Sequence, residues 1–150
     1  MFEEFDEYVF EFAGEDFAVD YWYDEGFDIA ENMLCEFQES DWEMLLGALS
    51  ERTVEWQKRA AYCMNDPSNP NQLKVLLILA ETDDPELFEI VVDSLRAFTS
   101  EECLNLIQAD SQIITKIEKL MPKAGNVTKR IFEEFLRIKD MGLEGKGQKN

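Results

Sequence analysis

From residue 40 to residue 141, apolar residues recur three or four positions apart, and short polar segments interrupt them. This spacing places the apolar side chains on one face of an α-helix, so it predicts a series of short amphipathic helices. The segment 73–80 is apolar almost throughout, and we expect it to be buried on most sides. The predicted apolar stripes are 42–49, 54–64, 73–80, 87–98, 104–107, 113–121 and 127–138.

The breaks between the stripes hold residues that begin helices. Ser, Thr, Asp and Asn accept hydrogen bonds from the free N–H groups of a first helical turn, and Pro fits its first position. Asn69 followed by Pro70, and Asp84 followed by Pro85, have this form. The segment 40–43, Ser-Asp-Trp-Glu, has the form of a capping box that starts at Ser40. The other predicted helix starts are Thr53, the segment 99–102, Ser111 and Asn126.

An internal repeat relates two of these regions. The segment 45–64 resembles the segment 76–95 at an offset of 31 residues, so that, for example, Trp56 overlays Leu87. Helix pairs that recur at such an interval are typical of solenoids.

Two short motifs resemble those of HEAT-type helical repeats. They are Asp-Asp-Pro-Glu at 83–86 and Arg-Ala-Ala at 59–61. The resemblance covers roughly residues 40–121. It implies a mainly α fold in which short antiparallel helix pairs stack as a small HEAT-like α-solenoid with a binding surface, and it implies no chemistry.

The N-terminal part fits two structures. Four apolar residues from Phe2 to Phe12 share one helical face and Gly14 ends it, yet apolar residues over 8–12 and 17–23 also alternate as in a hairpin. The dense Glu favours a helix over 2–12, whereas 15–24 stays open between helix and strand. Residues 28–38 predict a further helix. Its expected inward side chains are Ile29, Met33, Leu34 and Phe37.

The length of 150 residues is that of one domain. We predict a single α-helical domain over 1–141, made of an acidic-aromatic part (1–39) and a helical part (40–141), followed by a disordered tail (142–150). We expect a cytoplasmic protein, because no segment resembles a secretory signal and none has the roughly 20 apolar residues of a membrane helix. The three cysteines, Cys35, Cys63 and Cys103, are expected to be reduced core residues.

Charge is distributed unevenly along the chain, which has a net charge of −19. Residues 1–50 contain sixteen acidic residues and no Lys or Arg, where average composition predicts about five or six basic residues. Like charges at this density repel one another in the folded state, so a basic partner is the simplest reason to retain them. The alternative is that the acidic residues only keep the surface soluble.

The acidic and aromatic residues between 11 and 28 form the candidate partner-binding surface. Three consecutive aromatic residues, Tyr21-Trp22-Tyr23, cannot all face inward, so at least one ring should be exposed. Tyr and Trp are enriched at binding hot spots, although core packing of two of these rings is an equal alternative. The candidate residues are Glu11, Glu15, Asp16, Asp20, Tyr21, Trp22, Tyr23, Asp24, Glu25 and Asp28.

Other chemistry is disfavoured by composition. The absence of His removes the commonest general base and zinc ligand, and we expect no enzyme, no metal and no cofactor. The segment 20–31 places three acidic residues as in a calcium loop, but its Gly26 stands at position 7 instead of 6. Nucleic-acid binding requires a basic face, and the basic residues between Lys116 and Arg130 are few.

Two hypotheses follow. Small, acidic, all-helical chains without catalytic residues resemble bacterial immunity proteins, including those of contact-dependent growth inhibition. This resemblance implies an inhibitor whose partner is a basic protein, namely a toxin nuclease domain. The alternative is a helical-repeat adaptor that binds a peptide or a subunit of a larger assembly along residues 42–121.

Overall fold

The computed structural model describes residues 1–14 and 19–148, with side chains given for 1–14 and 20–140. Within these residues the chain forms nine α-helices of eight or more residues and no β-strand. The mainly α prediction is therefore confirmed. The helix expected over 2–12 is also confirmed. Residues 19–26 are helical, so they do not form the strand of the hairpin alternative. Residues 15–18 lie outside the described residues.

The chain divides into two compact units, Met1–Met64 (unit 1) and Asn65–Asn150 (unit 2). In unit 1, a helical turn (Val19–Tyr21) and a five-residue π-helix (Trp22–Gly26) lead into the second helix, and a 3-10 turn (Leu49–Glu51) follows the third. The predicted single domain and the predicted tail stay predictions. The helices of unit 1 are α1 (Phe2–Phe12), α2 (Phe27–Cys35), α3 (Glu39–Ala48) and α4 (Val54–Tyr62).

Unit 2 contains the remaining five helices. A 3-10 turn (Met121–Lys123) separates the last two of them. They are α5 (Pro70–Leu79), α6 (Pro85–Leu95), α7 (Glu101–Gln108), α8 (Ser111–Leu120) and α9 (Asn126–Gln148).

Helix α1 is the centre of unit 1. It packs against α2, α3 and α4, and it buries the stripe that begins with Phe2 and ends with Phe12. The ring of Phe5 meets the rings of Phe37 and Trp56 edge to face, with centroids 5.6 and 6.2 Å apart. Aromatic side chains bury large areas, so much of the aromatic content of unit 1 is structural. Its three tryptophans, Trp22, Trp42 and Trp56, are all buried.

Three of the predicted helix starts are capped as expected. The acceptors are the side chains of Thr53, Asn69 and Asp84, and each takes a hydrogen bond from a backbone N–H of the first turn. The capping box over 99–102 places the cap at Thr99, but the cap of α7 is Ser100, one residue later. The prediction that Ser40 caps a helix is wrong, because α3 begins at Glu39. The N-cap is Gln38, and Asp41 completes a capping box with it, since its carboxylate accepts from the backbone N–H of Gln38 (2.9 Å).

Several expected core positions are exposed: Val54, Leu106 and Val127 in the predicted stripes, and two positions of α2. The buried residues of α2 are Ala30 and Leu34, one helical turn apart, whereas Ile29 is 49% exposed. Ile29 lies one position before Ala30, which rotates its side chain by about 100° around the helix axis. Cys63 and Cys103 are buried as predicted, but Cys35 is exposed at the end of α2.

Helix α6 is the centre of unit 2. It packs against α5 and α9, and α9 also contacts α7. The rings of Phe88 and Phe132 meet edge to face at 6.0 Å between α6 and α9. The Lys116 Nζ on α8 donates to the backbone carbonyls of Ala80 (2.6 Å) and Thr82 (2.7 Å), which places a cation beside the C-terminal end of α5.

Candidate partner-binding surface

The basic side chains of unit 1 all face acidic residues of the same unit. The guanidinium of Arg52 donates to both carboxylate oxygens of Asp6, at 2.8 Å each. On α4, the side chains of Lys58 and Arg59 reach the carboxylate of Glu55 at 2.9 and 3.2 Å, and both are more than nine-tenths buried. Unit 1 has eighteen acidic residues and only these three basic ones, so its positive charges are engaged internally.

Twelve acidic residues of unit 1 are exposed and form no ion pair with any described residue. The surface they form therefore carries charge of one sign. Such a surface attracts a basic partner over about one Debye length, roughly 8 Å at physiological ionic strength. The twelve residues are Glu3, Glu4, Glu7, Glu11, Asp20, Asp24, Glu25, Asp28, Glu36, Glu39, Glu43 and Glu51.

The internal pairs hold their members in the charged form. The hydrogen bond from Lys58 lowers the pKa of Glu55, and the hydrogen bond to Asp6 raises the pKa of Arg52. The backbone N–H groups of Gln38 and Phe2 lower the pKa of Asp41. These ion pairs are therefore intact at neutral pH, and unit 1 keeps its excess of exposed negative charge.

The three consecutive aromatic residues face different environments. Trp22 is fully buried, with its ring 5.3 Å from that of Phe12, and it therefore exposes no surface to a partner. Tyr23 is half-buried and its ring meets that of Tyr62 at 4.6 Å. Tyr21 is 46% exposed. The expectation that at least one of the three rings is exposed is confirmed.

The π-helix positions these rings. Gly26, at its end, lies so close to Trp22 that a Cβ atom there would be 3.2 Å from the indole. The Tyr8 hydroxyl donates to the Gly26 carbonyl at 2.8 Å, which ties the segment to α1. The wider turn of a π-helix inserts one extra residue into the helical repeat, and this changes which side chains face inward.

Stacking of two aromatic rings joins the end of α1 to the segment around Tyr21, and these are the two parts of the candidate surface. The ring of Tyr21 lies against that of Phe12, with centroids 5.6 Å and planes 19° apart. Glu11 is exposed on α1 immediately before Phe12, while Asp20 and Asp24 are exposed around Tyr21. Of the other predicted residues, Glu25 and Asp28 are exposed, whereas Glu15 and Asp16 lie outside the described residues.

Phe10 is an exposed residue that is not among the partner-binding residues predicted from the sequence. Its side chain is 68% exposed, although it is one of the largest apolar residues of α1. The helical repeat places it on the same face as Glu3, Glu7 and Glu11, opposite the buried stripe. The signal was present in the sequence, because Phe10 falls outside the stripe formed by Phe2, Phe5, Val9 and Phe12.

Comparison with known proteins found no matching family model, no matching curated sequence and no matching solved structure. Among the described residues, no group of three or more potential ligand side chains is placed to hold a metal ion. None of the helices in the described part of the chain is both long enough and apolar enough to cross a bilayer.

Proposed function

We propose that this chain is an inhibitor that acts by binding, without catalysis, to a basic protein. We propose further that the partner is a toxin nuclease and that the chain is the corresponding immunity protein in the cytoplasm. The observation that carries the proposal is the charge distribution in unit 1, where the basic side chains face internal carboxylates and twelve acidic residues face solvent.

A nuclease fits such a surface because it must present Lys and Arg side chains to the phosphates of its substrate. An acidic surface can occupy this groove and match the charge of the nucleic acid. Complementary charge also accelerates encounter, up to about 10⁸–10⁹ M⁻¹s⁻¹ at low salt. Fast capture is useful to an inhibitor when a few uninhibited toxin molecules can kill the cell.

Phe10 and Tyr21 supply apolar contact area within the acidic surface. Hot spots combine a desolvated aromatic anchor with surrounding polar residues that exclude water. In the proposal the acidic residues steer and pair with the partner, and these two rings become buried against it. Replacing Phe10 by Ala should weaken binding without affecting stability, since its side chain is 68% exposed.

The first experiment identifies the partner. The tagged chain is used to capture proteins from its own host at low salt, and the proteins released by high salt are identified by mass spectrometry. We expect one basic protein that degrades DNA or RNA and that loses this activity when the chain is added. The proposal is contradicted if the captured proteins are non-basic subunits of a larger assembly. It is also contradicted if the chain does not affect the nuclease activity of the captured partner.

The second experiment tests the surface by stopped-flow measurement of association with that partner at several salt concentrations. We expect charge reversal of four surface acids to slow association and to flatten its salt dependence, because electrostatic steering is lost. The variant is Glu11→Lys, Asp20→Lys, Asp24→Lys and Asp28→Lys. A control in unit 2 changes the net charge equally, by Glu81→Lys, Glu102→Lys, Glu118→Lys and Glu133→Lys. Equal slowing by both variants would show that net charge, and not this surface, is responsible.

A helical-repeat adaptor is the second candidate, and it includes the HEAT-like stacking implied by the resemblance. Its support is in unit 2, where α5 and α6 pack as neighbours after a five-residue connection. Ile78 on α5 and Leu106 on α7 are 42% and 49% exposed, and these two helices contact each other. If a captured partner no longer binds the Leu106→Asp variant but still binds the charge-reversal variant of unit 1, the adaptor is favoured.

A further inference from the structure

Unit 2 contains a cavity that the proposed function does not use. Its volume is about 390 Å³, and it lies where the first turns of α6 and α9 meet the 3-10 turn that follows α8. Sites for small molecules typically have volumes of about 300–1,000 Å³ and combine apolar walls with a few polar groups. The cavity is formed by residues of unit 2 alone.

The inner wall of the cavity is apolar. Phe132 on α9 is buried, and it is held in place by the edge-to-face contact with Phe88. Pro85, Leu120 and Ala124 complete this wall. Such a surface favours a ligand with a hydrocarbon body, because contact removes apolar area from water.

The polar side chains of the cavity are two carboxylates, one hydroxyl group and one ammonium group. Glu86 and Glu89 lie three residues apart on α6, which places them on neighbouring positions of one helical face, and both line the cavity. The Thr128 hydroxyl donates to Glu89 Oε1 at 2.6 Å, which fixes that carboxylate. Glu89 is half-buried and forms no ion pair with any described residue. A carboxylate in such surroundings gains from a cation beside it.

We propose that this cavity binds a small organic ammonium ion with an apolar body. The ammonium group lies against Glu89, and the hydrocarbon part contacts Phe132 and Leu120. Lys123 also lines the cavity, but its side chain is exposed to solvent and therefore strongly screened. Glu89 is half-buried and is therefore screened less than Lys123, so an organic anion should bind less well.

Gly125 allows the cavity to be narrowed without changing its charge. It lines the cavity, and a Cβ atom placed on it meets no other heavy atom within 4 Å. Its backbone does not have a positive φ angle, so other residues are tolerated. A Leu side chain at this position should occupy part of the space that the ligand needs.

The proposal is tested with benzylamine, by following its binding to the full chain with NMR chemical-shift titration. We expect saturable binding, with shifts concentrated at residues of the cavity and weaker binding of benzoate. Glu89→Gln keeps an acceptor for Thr128 but removes the charge, and it should raise Kd about tenfold. Gly125→Leu should also raise Kd, because it reduces the space. Thermal unfolding of each variant verifies that it is folded.

Two controls match these variants. Glu118→Gln removes an exposed carboxylate of α8 that does not line the cavity, and Gly47→Leu adds the same bulk at another glycine with open space around it. Both should bind benzylamine like the unmodified chain. The proposal is overturned if benzylamine does not saturate, if benzoate binds equally well, or if Glu89→Gln binds like Glu118→Gln. None of these outcomes bears on the acidic surface of unit 1.

Discussion

The guanidinium of Arg52 forms two hydrogen bonds of 2.8 Å with the carboxylate of Asp6, although 46 residues separate them in the chain. It also lies over the ring of Trp56, 5.7 Å from the centroid. Arg52 is the first basic residue in the chain. It joins α1 to the segment that connects α3 and α4, and this internal role leaves its charge largely unavailable to a partner.

Replacing Arg52 by Lys should lower the stability of unit 1. Lys has no planar fork, so it keeps the charge but loses the two-point contact with Asp6 and the stacking on Trp56. We expect a loss of about 0.5–1 kcal/mol in the free energy of unfolding, measured with urea, because the pair is only partly buried. A double-mutant cycle with Asp6→Asn isolates the coupling. Additive effects in the cycle would mean that the pair contributes nothing.

Two glycines in helical segments should respond differently to replacement by Ala. Gly47 in α3 has open space around its Cβ position, so Gly47→Ala should stabilise the protein by about 0.5–1 kcal/mol through lower chain entropy in the unfolded state. Gly26→Ala would place a methyl group 3.2 Å from the indole of Trp22, which Tyr8 and Phe12 also contact. We expect Gly26→Ala to be the less stable of the two by thermal unfolding. Equal stabilisation would show that the indole can move freely.

Asp41 should contribute to the acid sensitivity of unit 1. Its carboxylate accepts from the N–H groups of Phe2 (3.0 Å) and Gln38 (2.9 Å), and these bonds lower its pKa in the folded protein. The unfolded chain then binds the proton more tightly, so the stabilisation is complete above the ordinary Asp pKa of about 3.9 and is lost as pH falls through the folded pKa.

Urea unfolding between pH 6 and pH 2.5 tests this prediction. Asp41→Asn should be less stable than the unmodified chain at pH 6, and the difference should shrink as the pH falls below about 4. Glu43→Gln, at an exposed acid on the same helix, is the control and should leave the pH profile nearly unchanged. A constant difference between Asp41→Asn and the unmodified chain at every pH would contradict the assignment.

Lys116 should stabilise unit 2 through its two backbone hydrogen bonds. Lys116→Met keeps most of the side-chain length and its contact with Phe88, but leaves the carbonyls of Ala80 and Thr82 without this donor. We expect a loss of about 1–3 kcal/mol in urea unfolding. Lys119→Met, at an exposed neighbour on α8, should have little effect. If the two variants are equally stable, water replaces the ammonium at the carbonyls.

The helices of this chain follow from local sequence. A cap such as Thr53 or Asp84 acts on N–H groups two or three residues away, and the stripe of α1 repeats within a single helix. Interactions of this range are encoded in short segments, so the sequence predicted them correctly. The prediction at Ser40 is wrong because it used only the local pattern over 40–43. The contact of Asp41 with Phe2, 39 residues distant, favours the start that formed.

Which side chains lie at the surface depends on contacts between distant residues, and a local sequence pattern does not include such contacts. The sequence alone determined an excess of acidic residues in the first third of the chain and the presence of helices there. Only the tertiary structure decided that Arg52 faces Asp6, that Trp22 is buried while Tyr21 is exposed, and that Glu89 and Thr128 meet beside a cavity. The physical reason is distance along the chain, since each of these outcomes depends on packing between helices that are far apart in sequence.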